Sequence, residues 1–248
     1  MRKPRISVST LQRGAWSSLA ASLLFFGLLP SAGAQASCSS DGQPRPVQLM
    51  ERFISADCES CWRDPATPVS QNIYAVLDWV IPGRKGDDAP LSAVASRDAL
   101  TRLDAMGKTA PAASLTTTLP VRALQRTTLR VAHGIALSGY IGASIALSPA
   151  PVAPKAQRWT AWLALVETIP QGAEGTPVER NLVRNLLQTN WKIGESLSKN
   201  EQNRLFDSRS ISVAAGVNAD RLRVIGWVED ANGRIINAAQ SVCAAAPG

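Results

Sequence analysis

A single histidine, His133, serves the whole chain of 248 residues. Any Ser-His-Asp machinery must pass through it, and a histidine-rich metal centre has no further material. Aromatic residues make up 5% of the chain and never interleave with a basic cluster, which removes the usual signature of nucleic-acid binding. Internal repeats are absent. So are long apolar runs. The only stretch resembling a membrane span, Leu19 to Leu29, falls short of the about 20 residues a spanning helix needs.

That short run instead completes an export signal. Arg2, Lys3, Arg5 and Arg13 precede it, and Pro30 and the small-residue triplet Ala34-Gln35-Ala36 follow, which predicts cleavage after Ala36 and a mature start at Ser37. Gln35 stands three before Cys38, where a lipoprotein signal carries a leucine-like residue, so Cys38 reads as a disulfide cysteine. Four of the 26 basic residues lie in the leader, and against 19 acidic residues the mature chain is only about +3. The expected location is periplasmic or secreted, with no stable membrane span after cleavage.

The strong chemical motif is Asp57-Cys58-Glu59-Ser60-Cys61-Trp62, a Cys-x-x-Cys pair directly after the apolar run Val47 to Ile54. Thiols so spaced can close a small disulfide ring, as in thiol-disulfide exchange sites. If a helix starts at Cys58, its free N–H groups favour a thiolate there, so Cys58 is the expected nucleophile and Cys61 the resolving thiol. Asp57 and Glu59 oppose that thiolate, and Arg52 and Arg63 offset them only by folding back. Trp62 rather than histidine follows Cys61, which excludes covalent haem. Four cysteines allow three connectivities; the adjacency of Cys58 and Cys61 makes them the local pair and leaves Cys38 with Cys243. A zinc site needs more ligands than His133 and two distant cysteines already in use, so no metal or other cofactor is expected.

Along the chain, Val47 to Ile54 and Tyr74 to Ile81 read as buried strands around the cysteine turn, the second apolar except for Asp78. Trp62 to Asn72 reads as weakly helical and Leu91 to Met106 as a helix ended by Gly107. Ala110 to Leu119 has little pattern and marks a domain boundary. Beyond it, Leu129 to Leu137 and Tyr140 to Leu147 form a hairpin around Ser138-Gly139, with His133 a core position. Trp159 to Glu167 follows as a strand with Trp159, Leu163 and Leu165 on one side and Trp162 and Val166 on the other. Thr176, Pro177 and Glu179 predict a capped helix over Pro177 to Trp191, with Val178, Leu182, Val183, Leu186 and Leu187 as its stripe. Ser210 to Val217 and Leu222 to Glu229 are closing strands, the latter hairpinned through Asn232-Gly233 into Arg234 to Ala239.

Several of these stretches together resemble the exported family known as domain of unknown function 1223. They are Val47 to Phe53 leading into Asp57-Cys58-Glu59-Ser60-Cys61, Ala75-Val76-Leu77, Glu179 to Arg184 before Trp191, and Gly233 to Ala239. The resemblance implies a thioredoxin-like half followed by a β-rich half. The cis-proline tripeptide that would face the cysteines is not evident; Pro111 and Pro120 are the nearby candidates.

The resulting expectation is an α/β chain: a signal peptide over 1–36, a thioredoxin-like domain over 37–119, and a β-rich antiparallel domain with one well-capped helix over 120–248. Its expected function is thiol-disulfide exchange or redox response through Cys58 and Cys61, with the thiols or disulfides of envelope proteins as partners. The alternative is a non-catalytic envelope scaffold or binding protein with structural disulfides.

Overall fold

The computed structural model describes residues 38–66, 73–151, 156–194 and 204–243, all within one compact unit. The expected export signal lies outside these residues. In chain order the strands are β1 (Cys38–Ser39), β2 (Gln48–Ser55), β3 (Tyr74–Ile81), β4 (Ser114–Pro120), β5 (Thr128–Leu137), β6 (Tyr140–Ser148), β7 (Gln157–Ile169), β8 (Arg180–Ile193), β9 (Leu205–Ser212), β10 (Leu222–Glu229), β11 (Ile235–Gln240) and β12 (Val242–Cys243). Among the described residues two α-helices interrupt them, α1 (Glu59–Trp62) and α2 (Arg97–Ala105).

The strands build a five-stranded sheet, order β12-β1-β5-β6-β9, and a seven-stranded sheet, order β11-β10-β7-β8-β3-β2-β4. Apolar residues of one parity fill the space between the sheets: Leu129, Val131, Ile145 and Leu147 from the smaller sheet meet Trp159, Ala161, Leu163 and Leu165 of β7. The opposite parity of β7, Trp162, Ala164 and Val166, faces a second core with Phe53, Leu77, Trp79 and, from α2, Ala99 and Leu103. Double coverage explains why β7 is apolar on both faces, as its two-sided sequence pattern suggested. The β5–β6 hairpin turns where expected, with Ser138 (φ 51°) and Gly139 (φ 77°) both left-handed and Leu137 paired to Tyr140.

The thioredoxin-like α/β expectation is overturned, because the chain is mostly β. β2 and β3 do pair in parallel, but the helix described in the crossover between them, α1, has four residues, and α2 has nine. The patternless stretch near residue 115 is β4, which pairs antiparallel with β2 in the larger sheet. That sheet continues through β8, β7, β10 and β11, so strands from both sides of residue 120 share it.

The capped helix over Pro177 to Trp191 is likewise a strand, β8, paired with β7 from Gln157↔Ile193 to Ile169↔Arg180. A bulge explains the misreading. The register shifts between Leu165 and Val166 of β7, whose partners are Asn185 and Val183, leaving Arg184 as the extra residue. Val183 and Leu187 are therefore four apart yet face opposite cores, and the broken alternation imitates a helical stripe. Thr176 caps no helix: its hydroxyl donates to Val178 O and accepts from Arg180 Nε. The Leu91 to Met106 helix contracts to α2 and a short 3-10 turn at Ser92–Val94, while the strand expected at Ser210 to Val217 lies earlier, as β9.

Candidate functional site

Cys58 and Cys61 sit where β2 runs out at one end of the seven-stranded sheet. Ala56 N–H donates to Ile81 O, so the chain leaves β2 still tied to the end of β3. Cys58 N–H then donates to Ser55 O and Cys61 N–H to Cys58 O, folding the motif into a turn. The two cysteines are disulfide-bonded, with S–S 2.01 Å and Cα–Cα 5.4 Å. Both are half-buried, and the intervening Glu59 and Ser60 are exposed. Beneath them Trp62 is buried with Ile54, Val80, Ile169 and Leu182. Its indole N–H donates to Glu174 O at 2.9 Å.

The four residues of α1 align few peptide dipoles and lend a Cys58 thiolate little support. The acids that opposed a thiolate are, however, engaged elsewhere. Asp57 accepts backbone N–H bonds from Arg84 (2.8 Å) and Lys85 (3.2 Å). Glu59 pairs with Arg63 at 2.5 Å. Gly83 makes the Asp57 contact feasible, because a Cβ at that position would overlap the Asp57 carboxylate. Of the two arginines considered as offsets, Arg63 folds back; Arg52 turns inward.

Arg52 belongs to a buried ionic cluster around Asp78. The Asp78 carboxylate is fully buried and takes Arg52 at 2.6 Å, Arg180 at 3.1 Å and the Asn181 N–H at 3.0 Å. Burial pushes the Arg52 guanidinium below its ordinary value and Arg180 adds to that, while Asp78 acts the other way. Arg180, also fully buried, reaches the cysteine turn itself. Its Nη2 donates to Trp62 O at 2.6 Å and Cys61 O at 3.4 Å, and its guanidinium stands 4.7 Å from the centre of the Trp62 ring. Arg52 and Arg180 thus share the Asp78 carboxylate, and Asp64 also acts on Arg52.

None of Arg52, Asp78 and Arg180 was identified from the sequence as a site residue. Asp78 left a trace, as the one charge in an otherwise apolar strand; a buried charge needs a partner. Arg180 left none, because its segment read as a helix. A further buried cation was equally hidden: Arg102 of α2 binds Glu51 (2.7 Å) and Glu229 (2.8 Å) and stands over the rings of Trp162 and Trp227, whose centres lie 5.1 and 5.0 Å away.

Cys38 and Cys243 are also disulfide-bonded, across β1 and β12. His133, expected as a core position of its strand, is paired with Cys38 on the other side of β1. The cis peptide bond among the described residues is Ser148–Pro149, at the end of β6, and not at Pro111 or Pro120. No described helix is long and apolar enough to cross a membrane. Two disulfides are compatible with an extracytoplasmic location.

No family model matches the chain, and no curated protein does. Three solved chains match. HBP35 of Porphyromonas gingivalis matches at a TM-score of 0.45 and 12% identity, over 80% of this chain and 76% of that one. A likeness at that level carries no argument about function.

Proposed function

We propose that this protein is an exported thiol-disulfide oxidoreductase or redox-responsive protein working through Cys58 and Cys61 in the cell envelope, akin to the family its motifs resemble. In the reduced form the Cys58 thiolate attacks one sulfur of a partner disulfide and releases the other partner sulfur as a thiolate. Cys61, deprotonated, then attacks Cys58 Sγ, which frees the second partner thiol and leaves Cys58–Cys61 oxidised. Two electrons pass to the partner; the same steps in reverse oxidise a partner dithiol.

The observation that carries this reading is Arg180 beneath the turn, donating to the carbonyls of Cys61 and Trp62. A buried cation on the backbone of the turn favours a thiolate there, and pairing of Asp57 and Glu59 with other groups lessens the opposing charge. The turn is also open to a partner, since Glu59 and Ser60 are exposed.

The decisive measurement is the reduction potential of Cys58–Cys61, taken with Cys38–Cys243 intact, together with trapping of partners by Cys61→Ser. An exchange-active pair lies between about −270 and −120 mV, and the single-cysteine variant collects mixed disulfides at Cys58. A potential below about −300 mV with nothing trapped would reduce the pair to a structural clip on a scaffold.

A further inference from the structure

Cys243, Cys38 and His133 stand abreast on three neighbouring strands. Cys38 of β1 is the register partner of Cys243 in β12 on one side and of His133 in β5 on the other. Directly paired residues of adjacent strands project from the same face of a sheet, so the three side chains converge. The two sulfurs and a ring nitrogen of His133 all lie within 4.8 Å of one another.

The imidazole is arranged as metal-ligating histidines are. His133 is 5% exposed, Nδ1 lies 2.8 Å from Gly134 O, and Nε2 is buried without a hydrogen-bond partner. In the neutral ring the Gly134 carbonyl can only accept, so Nδ1 carries the proton and Nε2 holds a free lone pair. The Gly134 carbonyl is presented by a local irregularity, for the β5–β6 register shifts between His133 and Ala136. A buried acceptor with no donor is costly unless something else uses it.

We infer that reduction of Cys38–Cys243 opens a metal site in which the two thiolates and His133 Nε2 bind a thiophilic d10 cation, Zn2+ or Cu+. In the oxidised protein the sulfurs are bonded to each other at 1.98 Å and cannot both ligate. Cys243 is the exposed end of the bond, and a dithiol reductant gains access there. Its first thiolate attacks Cys243 Sγ and expels Cys38 as thiolate; its second thiol displaces Cys243, leaving two thiols on this chain and a disulfide on the reductant. Zinc then replaces the two thiol protons. The sulfurs need only part to roughly 4 Å for both to reach a metal at about 2.3 Å, with Nε2 at about 2.0–2.1 Å. Soft thiolates with imidazole select Zn2+ and Cu+ over hard cations, and three protein ligands leave one position for solvent on Zn2+. The site binds metal only when reduced, which makes it a redox-gated site separate from the Cys58–Cys61 turn.

The test uses the full chain carrying Cys58→Ser and Cys61→Ser, so that no other cysteine contributes. Zn2+ is titrated against a chromophoric chelator before and after reduction by a phosphine. We expect one Zn2+ per reduced chain, none per oxidised chain, and an affinity lowered more than about tenfold by His133→Gln. Because His133 is the chain's single histidine, 15N spectra of its imidazole read Nε2 directly; that resonance should move on adding Zn2+ to the reduced protein only. Failure of the reduced chain to bind Zn2+ overturns the inference. So does binding that leaves Nε2 unmoved and ignores His133→Gln, or loss of the β-sheet circular dichroism on reduction, since the three strands would no longer present the ligands.

Discussion

Arg180 Nη2 donates to the backbone carbonyl of Trp62 at 2.6 Å, joining β8 to a turn 118 residues earlier in the chain. The same guanidinium binds Asp78, so one side chain ties the Cys-x-x-Cys turn to the centre of the larger sheet.

Arg180→Met should therefore destabilise the fold by about 3–5 kcal/mol, because Asp78 loses one of its two cations and the carbonyls of Cys61 and Trp62 lose their donor. Arg180→Lys keeps the charge but cannot reach Asp78, Thr176 and Trp62 at once, and should lose less. Urea denaturation at neutral pH measures both. The Cys58 thiol pKa, read by alkylation of the reduced protein, should rise in Arg180→Met and stay near the parent value in Arg180→Lys. An unchanged pKa in Arg180→Met would confine Arg180 to a structural role.

Gly226→Ala should cost about 1–3 kcal/mol by overpacking. A Cβ there would stand 2.6 Å from Val131 Cγ1 and 3.0 Å from Ile145 Cδ1, in the space between the two sheets. The backbone at Gly226 does not lie in the left-handed region, so the cost is contact rather than strain. Val131→Ala in the same chain should recover part of it, and thermal unfolding of the double variant checks this.

Stability should fall as pH drops below the ordinary histidine value of about 6.5. Burial lowers the His133 pKa, Arg223 adds to the effect, and the Gly134 carbonyl opposes it. On acidification the unfolded chain therefore takes up a proton that the folded chain resists, and stability is lost from about pH 6.5 down to the depressed folded value. The slope cannot exceed about 1.4 kcal/mol per pH unit. His133→Gln should lack it between pH 5 and 7, where carboxylates with ordinary values are already ionised.

The cysteine pairing was legible in the sequence because its first step is local. Cys58 and Cys61 are three residues apart, and any turn between them brings their sulfurs together; once they are paired, Cys38 and Cys243 have only each other. Strands with strict alternation, such as β6, and the Ser138-Gly139 turn were legible for the same reason, since period two and left-handed backbone preference are properties of short segments; in β5 the bulge after His133 reverses the alternation and leaves Ile135 and Leu137 exposed. Tertiary structure decided what depended on a distant partner. The segment from Pro177 became a strand because β7 offers it a full ladder of hydrogen bonds, against which intrinsic helix preference is a weak bias. Arg180 met Asp78, and His133 met Cys38 and Cys243, only because sheet order sets β8 beside β3 and β1 between β12 and β5. Such pairings arise from closing loops of about 100 residues and more, and no short-range pattern encodes them.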